Sequence, residues 1–171
     1  TTTDLIPIGK GRVLSRGRTD TERLIAGELV YTGVLRTNPN TLVNQGPVEG
    51  KPCRLAAEYF ASMADVYLIL GQLTPGQYTC PTADGRSKTI PAARKRLARL
   101  VCSDGETMNQ NQVHTLARYL REKQLQHIVE GLFQVLSGLP DDVNLPLVVV
   151  GSGRFLGKEA AGRLNLHVIE L

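Results

Sequence analysis

Two short stretches of the chain carry residue types suited to handling phosphate. The sequence opens Thr1-Thr2-Thr3-Asp4, directly ahead of an apolar run at residues 5–8. Threonine hydroxyls and successive backbone N–H groups in a tight turn donate to phosphate oxygens, and a carboxylate beside them can hold Mg²⁺ through water or orient a nucleophile. Asp4 is therefore the candidate catalytic residue and water-mediated metal contact, and Thr1, Thr2 and Thr3 are candidate phosphate ligands. A polar strand start accounts for the same four residues. The second stretch is Val148-Val149-Val150-Gly151-Ser152-Gly153, entering a helical pattern. Glycines let a ligand approach the backbone, and a helix N-terminus favours phosphate. Gly151, Ser152 and Gly153 thus join the nucleotide or phosphate candidates, although a tight strand-to-helix turn needs glycine with no ligand at all. The stretch is not a dinucleotide fingerprint: position 156 is Leu where G-x-G-x-x-G requires its third glycine.

Further polar residues are candidates for contact with a metal or diphosphate. Arg36 closes a β-like stretch and can grip diphosphate with two parallel hydrogen bonds. Glu58 and Asp65 stand two turns apart if helix runs between them, and Asp84-Gly85-Arg86 falls in a long loop. Each has a plainer account: a solvated strand end for Arg36, a helix surface and stop for Glu58 and Asp65, a turn for Asp84-Gly85. Arg94, Lys95, Arg96 and Arg99 spread around more than half of their helix and are expected on a solvated face. His114, His127 and His167 lack partners at metal-ligand spacing.

The elements that would position these residues alternate in type. Residues 5–15 read as a β-hairpin turning at Gly9-Lys10-Gly11. Thr19-Asp20-Thr21-Glu22 has capping-box spacing and starts a short helix through about residues 24–26. Residues 28–37 (ELVYTGVLRT) read as a strand, and 38–52 as an irregular or hairpin connection. A helix over 54–63, a buried strand over 66–70 and a long loop over 73–88 follow. Pro91 suits the first turn of a helix over 91–101, with Ala93, Leu97, Leu100 and Val101 on one face. A helical stretch over 112–136 is interrupted by the polar residues 121–124, which predicts a kink or two helices. A buried strand at 147–150, a helix over 156–164 and a last strand at 166–171 complete a mixed α/β order.

Composition narrows the function classes. The 171 residues suffice for one domain or one lobe of a larger protein, and 42% apolar with 21% charged residues is ordinary for a packed core. A net charge of +4 without a concentrated basic stripe argues against nucleic acid and suits a small anionic partner. Cys53, Cys80 and Cys102 include no close pair, so neither a disulfide framework nor a zinc site is expected, and a reducing cytoplasm fits best. No apolar run approaches the ~20 residues that span a bilayer.

A threonine-rich hairpin early and a glycine-rich strand-to-helix turn late together resemble the second lobe of the sugar-kinase, Hsp70 and actin superfamily. There the hairpin is the second phosphate-binding motif and the late turn contacts adenosine. The version here resembles the hydantoinase/oxoprolinase branch. GRTDTERLIAGELVYTGVLRTN (17–38), EYFASMADVYLILG (58–71), TADGR (82–86) and ARKRLARLVCSDGE (93–106) are similar to the tetrahydromethanopterin-linked one-carbon transfer pathway proteins of methylotrophs. An archaeal relative of that family condenses an aminomethylfuran diphosphate with tyramine in methanofuran biosynthesis.

The resemblance implies an α/β carboxy-terminal lobe of an actin-like (ribonuclease H-like) ATPase fold, a mixed sheet with an inserted helical region. Residues 1–37 and 145–171 would supply the sheet, 38–144 a largely helical insertion, and the amino-terminal lobe would be absent. It implies a transferase joining a furan diphosphate to a phenol with release of diphosphate, with Mg²⁺ and ATP or diphosphate as ligands. ATP-dependent opening of a cyclic amide and a non-catalytic binding module are the alternatives. Expected partners are a phosphorylated small molecule and the missing lobe, without nucleic acid or membrane; self-association is left open. The hairpin at 1–15 is expected beside the 147–150 strand in one sheet, so that both motifs face one ligand.

Overall fold

The computed structural model describes residues 2–104, 107–139 and 146–170. Contacts divide the chain into two compact units, Thr1–Gly33 with Leu125–Leu171, and Val34–Gln124.

In the first unit, β1 (Thr3–Asp4) pairs antiparallel with β4 (Leu29–Val30), and β2 (Ile8–Gly9) pairs with β3 (Arg12–Val13). The hairpin expected at 5–15 is present, shorter than its apolar run, and turns through Lys10 and Gly11, both at positive φ. Pro7 has no N–H to give a ladder, but its carbonyl accepts the Leu14 N–H at 2.8 Å. Helix α1 (Asp20–Ile25) starts as its spacing predicts: the Thr19 side chain accepts the Glu22 N–H, and the Glu22 carboxylate reaches back to the Thr19 N–H. The strand expected over 28–37 ends at Val30. The chain turns away there because the Leu35 and Thr37 carbonyls are engaged elsewhere, on the N–H groups of Ala64 and Met63.

Helix α4 (Gln110–Leu136) is one unbroken helix; the polar residues at 121–124 do not divide it, and the boundary between the two units falls just after Gln124. Its later part packs on β4 and Leu5 in the first unit, where a Cβ on Gly131 would stand 2.6 Å from Val30 and 3.0 Å from Leu5. Farther along, β7 (Leu147–Val149) lies parallel to β8 (Val168–Glu170), with α5 (Arg154–Arg163) as the crossover. The strand at 147–150 is not buried throughout: Val149 is, but Val148 and Val150 are exposed.

In the second unit, β5 (Gln45–Val48) and β6 (Lys51–Arg54) form a hairpin, the alternative left open for 38–52. Helix α2 (Met63–Ile69) stands where a strand was expected, and 55–62 is irregular where a helix was expected. Both reversals have a physical cause. Every residue of α2 is buried, Asp65 included, so its side chains show no polar/apolar period to separate helix from strand. Its start is set by Ser62 at the N-cap, whose N–H is accepted by Asp65 at 3.1 Å. Upstream, the Asn40 amide donates to the carbonyls of Ala56 and Glu58 at 2.7 and 2.9 Å and so takes acceptors a helix would need. Helix α3 (Ile90–Arg99) begins behind the Thr89 cap and packs Ala93 and Leu97 against α2. The first part of α4 adds Val113, Leu116, Ala117 and Leu120 to this core.

Among the described residues the strands form four separate two-stranded pairs. The single mixed sheet expected from the sequence is therefore not formed, and β7 pairs with β8 rather than lying beside the 1–15 hairpin. Strands of two to four residues offer too few ladder positions to recruit further neighbours. No described helix is long and apolar enough to cross a membrane.

Candidate functional site

The opening motif sits on β1. Thr1 lies outside the described residues. The Thr3 hydroxyl donates to the Thr32 carbonyl at 2.8 Å, so its proton is used inside the fold. Asp4 Oδ1 accepts the guanidinium of Arg23 on α1, which also lies 3.8 Å from Asp20. The hydrogen bond it donates to Asp4 raises the Arg23 pKa above its ordinary value. The Thr2 hydroxyl lies 3.5 Å from the other Asp4 oxygen, at the outer limit of a hydrogen bond. The Asp4 side chain remains 43% exposed, so this carboxylate is anchored on one oxygen and open on the other.

Gly151, Ser152 and Gly153 form the turn from β7 into α5. Gly151 has φ +85°, which side-chain-bearing residues rarely adopt. Gly153 is the N-cap of α5 and brings no side-chain acceptor to the helix start. Gly151 and Ser152 are exposed. The two candidate phosphate motifs therefore share the first unit but stand on different strand pairs.

Two of the other candidates meet in the second unit, on a residue the sequence reading placed in solvent. Arg96 is 0% exposed. Its Nε and Nη2 donate to Asp65 Oδ1 at 3.0 and 2.6 Å, and its Nη1 donates to Asp84 Oδ1 at 3.1 Å and to the Ser87 carbonyl at 3.2 Å. The Tyr78 hydroxyl donates to the same Asp65 oxygen at 3.1 Å and lies 3.0 Å from Ser62 Oγ. Lys88 Nζ stands 5.4 Å from the Tyr78 ring centroid, within reach of its π face. The long 73–88 loop is thus fastened to α2 and α3 by a buried polar network.

The electrostatics follow from that burial. Loss of solvent pushes the Tyr78 phenol well above its usual range and raises Tyr59 and Cys80 as well. Burial alone would raise the Asp84 carboxyl too, but the Arg86 N–H and the charge of Arg96 outweigh it and hold Asp84 below the ordinary carboxylate value. Burial would likewise lower Arg96, and its bonds to Asp65 overcome that and raise it.

The remaining candidates keep their side chains exposed. Arg36 is exposed, between the two carbonyls that accept the first N–H groups of α2. Glu58 is exposed and contributes its backbone carbonyl to Asn40. Arg86 is exposed and contributes its N–H to Asp84. Among the described residues no group of three or more His, Cys, Asp and Glu could hold a metal ion.

With this geometry in place, comparison with known proteins fixes the lineage. The family model described as hydantoinase/oxoprolinase matches residues 1–170. The chain belongs to the hydantoinase/oxoprolinase family. It is 37% identical over 172 residues to the Methanocaldococcus jannaschii (4-{4-[2-(gamma-L-glutamylamino)ethyl]phenoxymethyl}furan-2-yl)methanamine synthase, a match covering 99% of this chain and 50% of that protein. The protein of the same name from Methanococcus vannielii is 31% identical over 167 residues, covering 96% of this chain and 72% of the relative. The chain thus spans about half the length of the first of these relatives. Both relatives carry the name of a synthase of the same phenoxymethylfuran amine.

Arg96 is the residue that sequence reasoning missed, and a signal for it existed. It lies three residues after Ala93 and four before Leu100, on the stripe that was read as apolar. Its neighbours Arg94, Lys95 and Arg99 hid that spacing, and the paired acids are 12 and 31 residues away.

Proposed function

We propose that this chain is the carboxy-terminal lobe of an actin-like ATPase-type fold, and that the whole protein makes the aryl ether named in its relatives. In that reaction a phenol bearing a γ-glutamylaminoethyl arm attacks the methylene carbon of an aminomethylfuran diphosphate. The new bond joins phenolic oxygen to methylene carbon, the carbon–oxygen bond to diphosphate breaks, and the phenolic proton leaves to a base or solvent. The observation that carries this reading is the 37% identity running through 99% of the chain, so that both units and both phosphate motifs lie within the match.

In this reading Thr1, Thr2 and Thr3 and the Gly151–Gly153 turn hold phosphate oxygens. Thr2 is the described threonine whose hydroxyl is least committed, since that of Thr3 is spent on Thr32. Asp4 offers one oxygen met only by the Thr2 hydroxyl at 3.5 Å, which suits a hydrated ion carried mainly by substrate phosphates rather than a protein cage. Mg²⁺ held there would stabilise charge on the leaving diphosphate. Arg23 fixes the orientation of the Asp4 carboxylate.

The test is product analysis on the intact protein. Incubation with the furan diphosphate and the phenol should release diphosphate and yield a product of the ether's mass. Consumption of ATP with a cyclic amide instead would assign cyclic amide hydrolysis, and inactivity with both would leave a binding module.

A further inference from the structure

Arg23 on α1 reaches across to Asp4 on β1 with one guanidinium nitrogen. A long arginine side chain has many rotamers to lose, so holding it on a single carboxylate oxygen calls for further restraint. Glu28, the residue directly before β4, supplies that restraint at both ends of the side chain.

At the base, the Glu28 carboxylate accepts the Arg16 N–H on one oxygen and the Gly17 N–H, at 3.1 Å, on the other. Those two bonds fix the 16–17 backbone hard against Arg23. A Cβ on Gly17 would stand 2.4 Å from the Arg23 nitrogen, 2.7 Å from its Cα and 2.6 Å from its Cγ, closer than side chains approach. Only glycine fits, and the stem of Arg23 is walled in on this side. At the tip, the Nη2 that donates to Asp4 also lies 3.5 Å from the Glu28 carbonyl, at the outer limit of a hydrogen bond. The backbones are joined as well: the Glu28 N–H donates to the Arg23 carbonyl at 2.9 Å, and the Leu5 N–H to the Glu28 carbonyl at 2.8 Å. Glu28 is only 2% exposed, so any effect it has on chemistry at Asp4 passes through Arg23.

We propose that Glu28 and Gly17 are positioning residues for the Asp4 carboxylate: Glu28 clamps the 16–17 backbone onto the stem of Arg23, and Arg23 holds one Asp4 oxygen so that the other stays turned outward. The role in turnover rests on the reading of Asp4 given above; the clamp itself does not.

The test is a pair of double-mutant cycles. In the intact protein supplied with the furan diphosphate and the phenol, Glu28→Gln should lower kcat at least about tenfold, the margin of one charge-assisted hydrogen bond, and leave KM within about twofold. Placed on an Arg23→Gln background, the same substitution should cost less than about twofold more, because its route to Asp4 is already cut. Gly17→Ala leaves every charge in place and should repeat both results. The second cycle needs no substrate. In urea denaturation of the 171-residue chain, Glu28→Gln should lower the folding constant less on the Arg23→Gln background than in the parent, by at least about twofold. Kinetic losses that recur in full on the Arg23→Gln background, a loss confined to KM, or additive stability effects would overturn the proposal. A parent protein that makes no ether would overturn the synthase reading alone, and the denaturation cycle would still decide the clamp.

Discussion

Replacing Arg96 by Met removes four hydrogen bonds and one buried positive charge while keeping most of the side-chain volume. What remains is Asp65, 0% exposed, with the Ser62 N–H and Tyr78 hydroxyl as its donors and no counter-ion. Breaking a buried ion pair from one side costs about 3–5 kcal/mol, a large share of the roughly 5–15 kcal/mol that holds a typical domain folded. At roughly 2–4 °C per kcal/mol for a chain of this size, Tm should fall by about 6–20 °C. The sign of the pH dependence is a second readout. An unpaired buried carboxylate has a raised folded-state pKa, so it binds protons more readily folded than unfolded. The penalty in Arg96→Met should therefore be largest near pH 7 and shrink as pH falls towards about 4. Arg96→Lys should recover only part of the loss, because an ammonium cannot span Asp65, Asp84 and the Ser87 carbonyl together. Circular dichroism melts at several pH values provide the measurement. A loss below about 0.5 kcal/mol, the level of an ordinary surface substitution, would show that Arg96 is solvated and that the network is not formed.

Other outcomes follow from single contacts. Thr19→Ala removes the α1 cap and should cost about 1 kcal/mol, read by urea denaturation. The lowered Asp84 pKa contributes stability that is present above the unfolded carboxylate value and lost as pH falls through the folded one; Asp84→Asn should flatten the stability curve below about pH 4. In the intact protein, Asp4→Asn should lower kcat far more than it raises KM, and Arg23→Gln should shift in the same direction by less, as steady-state kinetics would register. Among the described residues the large exposed apolar side chains concentrate in the first unit, at Ile6, Val13, Ile25, Tyr31, Phe133 and Val150 among others, against Tyr59 and Ile90 in the second. The isolated chain should therefore self-associate with rising concentration in sedimentation velocity.

The parts of the fold legible in sequence are those written in local chemistry. Thr19 and Glu22 encode the α1 start at fixed spacing, Lys10-Gly11 a two-residue turn, and Pro91 the first turn of α3. Where the deciding partner is distant, sequence reading fails for a physical reason. The 54–70 stretch was divided wrongly between helix and strand because its backbone partners, Asn40 and the Leu35 and Thr37 carbonyls, lie some 16 to 29 residues upstream. Arg96 was placed in solvent because burial of a cation depends on acids that no local pattern reveals. Asp65 and Asp84 were identified as residues with a role, yet their meeting point was not.

Counting acceptor sites separates residues that can take a ligand from residues that hold the fold. Asp65 accepts Arg96 twice and Tyr78 once on one oxygen, and the Ser62 N–H on the other. Those four bonds fill about all the capacity of a carboxylate, and the group is sealed from solvent. For Asp65 to touch substrate it would first have to abandon Arg96, leaving a buried guanidinium unpaired. Asp4 is in the opposite condition. It has one oxygen on Arg23 and the other towards Thr2, and its side chain is 43% exposed. It stands in the first unit, which also carries the Gly151–Gly153 turn and most of the large exposed apolar side chains. The chemistry of the chain is therefore to be sought in the first unit. In the second, the Arg96 network gives Asp65 and Asp84 a different task, fixing the 73–88 loop against α2 and α3.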